Sequence, residues 1–155
     1  MNLDFWRILW NPVLVPALFG WFVAQSLKIV FTLIFEKRLD FKQFFASGGM
    51  PSSHSAFVSA LAVSCALQRG WESAEFGIAF VFAFVVMFDA AGVRRETGNQ
   101  ALLLNKILDG LEKNGYLDTS TGKVRELLGH TPVEVLSGCL LGIVIGICYT
   151  AIRFL

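Results

Sequence analysis

The stretch PVLVPALFGWFVAQSLKIVFTLIF, residues 12–35, decides the fold. As a helix it is about 36 Å long, enough to cross a hydrocarbon core of ~30 Å with some tilt. Gln25, Lys28 and Thr32 fall on it at i, i+3 and i+7 and so form one polar stripe on an otherwise apolar rod. Lys28 lies roughly 10 Å below the end of that helix. An ionisable group at such depth either snorkels to the nearby surface or faces a partner or a wet cavity. Gln25 carries the stripe deeper than snorkelling requires.

Outward from this block the pattern repeats. Residues 51–68 begin polar and become apolar, and residues 74–93 and 135–155 are apolar nearly throughout. Unpaired backbone groups are too costly in lipid, and no segment alternates with period two, so the blocks are helices. The expected architecture is an all-α integral membrane protein. It has about four transmembrane helices and one amphipathic interfacial helix over residues 100–111, where Leu104, Ile107, Leu108 and Leu111 share a face. Asn114-Gly115 and Ser120-Thr121-Gly122 are turn signals.

Composition agrees. Of 155 residues, 55% are hydrophobic and 16% charged, against ~25% charged in an ordinary soluble domain. The net charge of +1 and pI of about 7.7 argue against a disordered chain and against a nucleic-acid partner. The length, residues 1–155, fits a single membrane-embedded domain. No cleavable signal is expected, because the first apolar block is too long and lacks an A-x-A site. Cys65, Cys139 and Cys148 sit in apolar stretches, odd in number and at no metal-binding spacing. With four spans, the two long loops share a side. That side holds Lys37, Arg38, Lys42, Arg94, Arg95, Lys106, Lys113, Lys123 and Arg125, against Arg7, Arg69 and Arg153 opposite. The positive-inside rule makes the loop side cytoplasmic.

Polar residues cluster at the loop-side ends of the blocks. In Gly48-Gly49-Met50-Pro51-Ser52-Ser53-His54-Ser55, the glycines give a permissive loop and Pro51 suits the first turn of a helix. The free N–H groups and positive dipole end there are an anion site, with phosphate the natural guest. Ser52 and Ser53 add hydroxyls, and His54 is placed to reach a leaving-group oxygen. A plain helix cap accounts for the serines and proline but leaves His54 and Lys28 unexplained. Asp89 closes the third block ahead of Arg94 and Arg95. Those arginines are either orientation signals or planar forks for phosphate oxygens. Asp89 is placed to hold Arg94, Arg95 or Lys28; as a cation ligand it lacks companion carboxylates. In Gly129-His130-Thr131-Pro132-Val133-Glu134, Thr131 and Glu134 form a capping box with Pro132 at the first helical position. Glu134 is also spaced to hold one ring nitrogen of His130 and leave the other free to attack. The last block carries Gly138, Gly142 and Gly146, a stripe that lets another helix approach closely, within the chain or from a second copy in a homodimer.

Lysine, Pro-Ser-x-His, arginine and His-x3-acid, in that order on helical blocks, resemble the type 2 phosphatidic acid phosphatase superfamily. The closer resemblance is to its divergent bacterial and plant branch, related to acid phosphatases and vanadium-dependent haloperoxidases. The matching pieces are residues 48–56, 89–95, 104–105 and 128–135. The resemblance implies a lipid phosphatase of a bacterial inner membrane or a plastid or other organelle membrane. Its mechanism needs no metal or other cofactor. His130 matches the nucleophile that becomes a phosphohistidine, Glu134 the acid that orients it, and His54 the general acid. Lys28, Ser52, Ser53 and Arg94 or Arg95 match the phosphate clamp, supported by Asp89 and Gly49. Substrates of this class are phosphatidylglycerol phosphate, phosphatidate and polyprenyl diphosphates, and a cytoplasmic site favours the first. The sequence departs from the pattern where Arg-Pro usually follows the lysine: Phe35 stands there, and Arg38 lacks the proline. No arginine stands at the usual place shortly before the nucleophile, so Arg125 rivals Arg94 and Arg95. A non-catalytic binder or transporter of anionic headgroups would use the same lysine and helix end.

Overall fold

The computed structural model describes residues 5–37, 48–117, 122–124 and 129–153. A short 3-10 helix, Phe5–Trp10, leads into five α-helices: α1 (Leu14–Glu36), α2 (Ser53–Arg69), α3 (Ala74–Ala91), α4 (Val93–Lys113) and α5 (Pro132–Arg153). The helix boundaries follow local chemistry. Asn11 Oδ1 accepts from the backbone N–H groups of Val13 and Leu14 at 2.9 and 3.1 Å, where α1 begins. Ser52 caps α2 by accepting from Ser55 N, and Ser73 caps α3 by accepting from Phe76 N. The capping box at α5 forms as expected. Glu134 N donates to Thr131 Oγ1 at 3.3 Å, and Thr131 N donates back to Glu134 Oε2 at 3.2 Å.

Burial is inverted relative to a soluble bundle. Phe19, Phe22, Ile34, Phe80, Phe82, Phe84, Leu136 and Val144 are exposed, while the buried set is dominated by alanine and serine. Large apolar side chains facing outward are what a hydrocarbon solvent asks for. Three helices, α1, α3 and α5, are long and apolar enough to cross a membrane. The fourth expected span, α2, does not qualify. It is a small-residue helix enclosed by those three. The third block also ends differently from expectation. It stops at Ala91, bends at Gly92, and continues at once as α4. The amphipathic helix is therefore longer than residues 100–111, and Arg94 and Arg95 belong to its first turn.

Backbone proximity builds the core. A Cβ added at Gly138 or Gly142 would drive into the carbonyl oxygens of Ser52 and Ala56 respectively. One at Gly146 would lie 3.2 Å from Ala60 O, and one at Gly20 of α1 would lie 3.2 Å from Ala56 O. The glycine stripe is thus filled by α2 of the same chain, the first of the two alternatives left by the sequence. Those glycines are buried and offer no face to a second copy. The matched order Ser52/Gly138, Ala56/Gly142, Ala60/Gly146 makes α2 and α5 parallel neighbours. Their N-termini lie at the same end of the bundle.

Candidate functional site

The parallel seam delivers the site. Ser52 N donates to Glu134 O at 3.0 Å, joining the start of α2 to the first turn of α5. His130 N donates to Ala90 O at 3.2 Å, and Gly129 packs on the backbone of Arg94 and Arg95. The start of α4 is therefore brought to the same place. Three helix starts converge, and the first N–H groups of α2 and α5 are taken up in part by their caps, Ser52 and the Thr131–Glu134 box.

His130 is buried, and its Nδ1 lies 2.9 Å from Glu134 Oε2. An Nδ1–H donating to that carboxylate leaves the Nε2 lone pair unprotonated. Glu134 Oε2 also accepts from Thr131 N. Capping and ring orientation thus fall on one oxygen rather than one on each. His54 lies on the exposed side of the first turn of α2, at the loop-side edge of the bundle. Burial pushes its imidazole below the ordinary range, and the charges of Arg94, His130 and Lys28 push it further the same way.

Lys28 is only 3% exposed, so it does not snorkel. Its charge interacts with Glu134, and Gln25 and Thr32 are buried along the same stripe. Arg94 Nε donates to Asp89 Oδ2 at 2.7 Å, which selects Arg94 among the candidate partners of Asp89. Arg95 is exposed, and among the described residues it makes no ion pair. Arg125, the third candidate clamp, and Arg38 lie outside the described residues.

One expectation needs correction. Pro51 is not in the first turn of α2, because Ser52 is the cap and the helix starts at Ser53. The Ser52 hydroxyl is fully buried and accepts from both Ser55 N and Ser55 Oγ, which leaves its own O–H to donate. Ser53 is buried beside it. Gly49 has φ +80°, a left-handed backbone that glycine adopts without strain, with open space around it. Sequence reasoning missed the fixing of the loop that carries His130. Asn105, buried on α4, donates Nδ2 to Val124 O at 2.8 Å and accepts from Val124 N at 2.9 Å. Lys123 pairs with Asp109 at 2.8 Å. A lone asparagine among the leucines of an amphipathic helix was the available signal.

Fold and burial together define a helical integral membrane protein. The chain belongs to the divergent PAP2 family, whose pattern it matches over residues 9–145. It is 38% identical over 150 residues to the uncharacterized membrane protein YuiD of Bacillus subtilis (strain 168), covering 90% of this chain and 94% of that one. No solved structure matches it.

Proposed function

We propose that the protein hydrolyses a phosphomonoester or diphosphate on a lipid headgroup through a phosphohistidine on His130. The observation that carries this reading is the His130–Glu134 pair, held at 2.9 Å at the junction of three helix N-termini. Nε2 of His130 attacks phosphorus, and the bond from phosphorus to the leaving oxygen breaks. His54 gives that oxygen its proton. Water then attacks the phosphohistidine, neutral His54 takes a proton from it, and the N–P bond breaks to release phosphate. Lys28, Arg94 and the helix N–H groups stabilise charge on the equatorial oxygens, which is most of what phosphoryl transfer asks of a protein. Asp89 holds Arg94, and Ser53 lines the same helix start. The loop-side position of the site, with the positive-inside bias, supports a cytoplasmic face. There a headgroup enters while its chains stay in the bilayer, which favours phosphatidylglycerol phosphate or phosphatidate over an outward-facing polyprenyl diphosphate.

The purified protein in detergent, given a panel of lipid phosphates with chelator present, is expected to release inorganic phosphate. His130→Ala should abolish release, and His54→Ala should slow it by about 10²–10⁴-fold, the range for a lost general acid. Saturable binding of lipid phosphates by folded protein with no release from any of them would replace this reading with that of a headgroup binder.

A further inference from the structure

α3 and α5 both pack on α2 but touch each other at few points. The wedge between them is an apolar groove of about 320 Å³, separate from the histidine site. Its floor is Ser59, Ala62 and Val63 of α2, its walls are Phe80 and Phe84 of α3 and Ile143 of α5, and Trp71 closes the far end. The one hydroxyl in the floor is spent, since Ser59 Oγ donates to Met87 Sδ at 3.8 Å. The space exists because the facing positions are small: Ala62 on α2 and Ala83 on α3. Phe80 and Phe84 are more than half exposed, so the groove opens towards the bilayer. A dry apolar slot facing lipid fills with hydrocarbon, not water.

The groove also has a direction. On α3 it runs from Phe76 to Met87, about 16 Å at helical rise, close to half of a ~30 Å hydrocarbon core. Its upper end adjoins the site. Met87 is two residues from Asp89, Ser59 five from His54, and Cys139 five from Glu134. Five residues of helix are roughly 7.5 Å, the separation between a phosphate and the start of a lipid's hydrocarbon. A chain lying in this slot carries its headgroup to the converging helix ends.

We infer that the groove between α2, α3 and α5 holds one linear hydrocarbon chain of the substrate, so that the substrate class is a membrane lipid phosphate recognised by chain as well as by headgroup. This rests on the phosphatase reading for the word substrate, but not for the groove.

The test uses the full chain in phosphatidylcholine nanodiscs and an alkyl monophosphate carrying a diazirine either near the phosphate or near the methyl end. After illumination, the first probe should label peptides around Met87 and Cys139, and the second those around Phe76 and Trp71. Ile143→Trp should cut both labels about tenfold, the scale of one misfitting methylene in an apolar pocket. Phe84→Ala, at the exposed rim, guards against a packing defect in the tryptophan variant. It should admit a methyl-branched chain that the native groove labels poorly. Labels scattered over α1 and α4, or unchanged in both variants, overturn the groove even if phosphate is released. Labels in the expected register with no phosphate release from any lipid leave the groove standing and overturn the phosphatase.

Discussion

At the scale of single residues, Glu134 carries two duties on one oxygen, and they can be separated. Glu134→Gln keeps an acceptor for Thr131 N but removes the charge that orients the His130 ring and offsets the positive charge it gains as Nε2 bonds to phosphorus. Thermal stability should change by less than about 1 kcal/mol, the worth of a cap. The rate of phosphate release should fall by about 10²–10⁴-fold, as when an orienting carboxylate is neutralised in a catalytic triad. A large loss of stability with little loss of rate would make Glu134 a cap alone. His54 adds a pH signature. Burial first, then the neighbouring Arg94, His130 and Lys28, hold its imidazole below the ordinary range, so under the proposed mechanism the free protein loses the needed proton at lower pH than a normal histidine would. The alkaline limb of kcat/KM should therefore lie below ~6.5. Bound phosphate brings negative charge and raises the same group, so the limb of kcat should lie higher. Coincident limbs would remove His54 from the acid role. The two histidines, Lys28 and the acid after His130 were legible in sequence because polar groups stand out against apolar blocks. The choice of Arg94 by Asp89, and the use of Ser52 as a cap, were not legible. Both depend on where a helix begins, to within one residue.

At the scale of elements, glycine does different work at different places. Gly142 admits the Ala56 carbonyl of α2, whereas Gly110 on α4 has nothing within 4 Å of where a Cβ would go. Gly142→Ala should destabilise the bundle by about 1–3 kcal/mol through overpacking. Gly110→Ala should stabilise it by about 0.5–1 kcal/mol through helix propensity alone. Paired thermal unfolding in one detergent measures both, and equal shifts would deny the close seam. The four-residue glycine spacing was visible in the sequence, but its partner was not. The partner is the backbone of α2, and carbonyl oxygens leave no mark in a side-chain pattern. The start of α4 was missed for a related reason. Gly92 turns the chain without interrupting it, so a polar first turn at Val93–Glu96 reads as loop when only the leucine face is counted.

For the whole molecule, the inverted burial pattern and the parallel seam set which parts share a membrane face. The end of α3 and the starts of α2, α4 and α5 meet at the site, and Lys123 is held further along α4 by Asp109. If that face is cytoplasmic, a Lys123→Cys variant in a background without the native cysteines should resist a membrane-impermeant maleimide in intact cells. It should react after permeabilisation. Immediate labelling of intact cells would turn the site outward and favour substrates of the outer leaflet. The four apolar blocks were enough to read a helical membrane protein. That α2 would be wrapped by the other three follows from its alanines and serines, which a hydropathy count scores only as a weak span.

The seam between α2 and α5 has teeth. Because Ser52, Ala56 and Ala60 meet glycines four residues apart, one helix can slide along the other only in whole notches of ~6 Å. A single notch parts Ser52 from Glu134 and carries His130 away from its neighbours. The mating of these two helices therefore has no half-engaged setting, and the cluster at this end is either complete or broken.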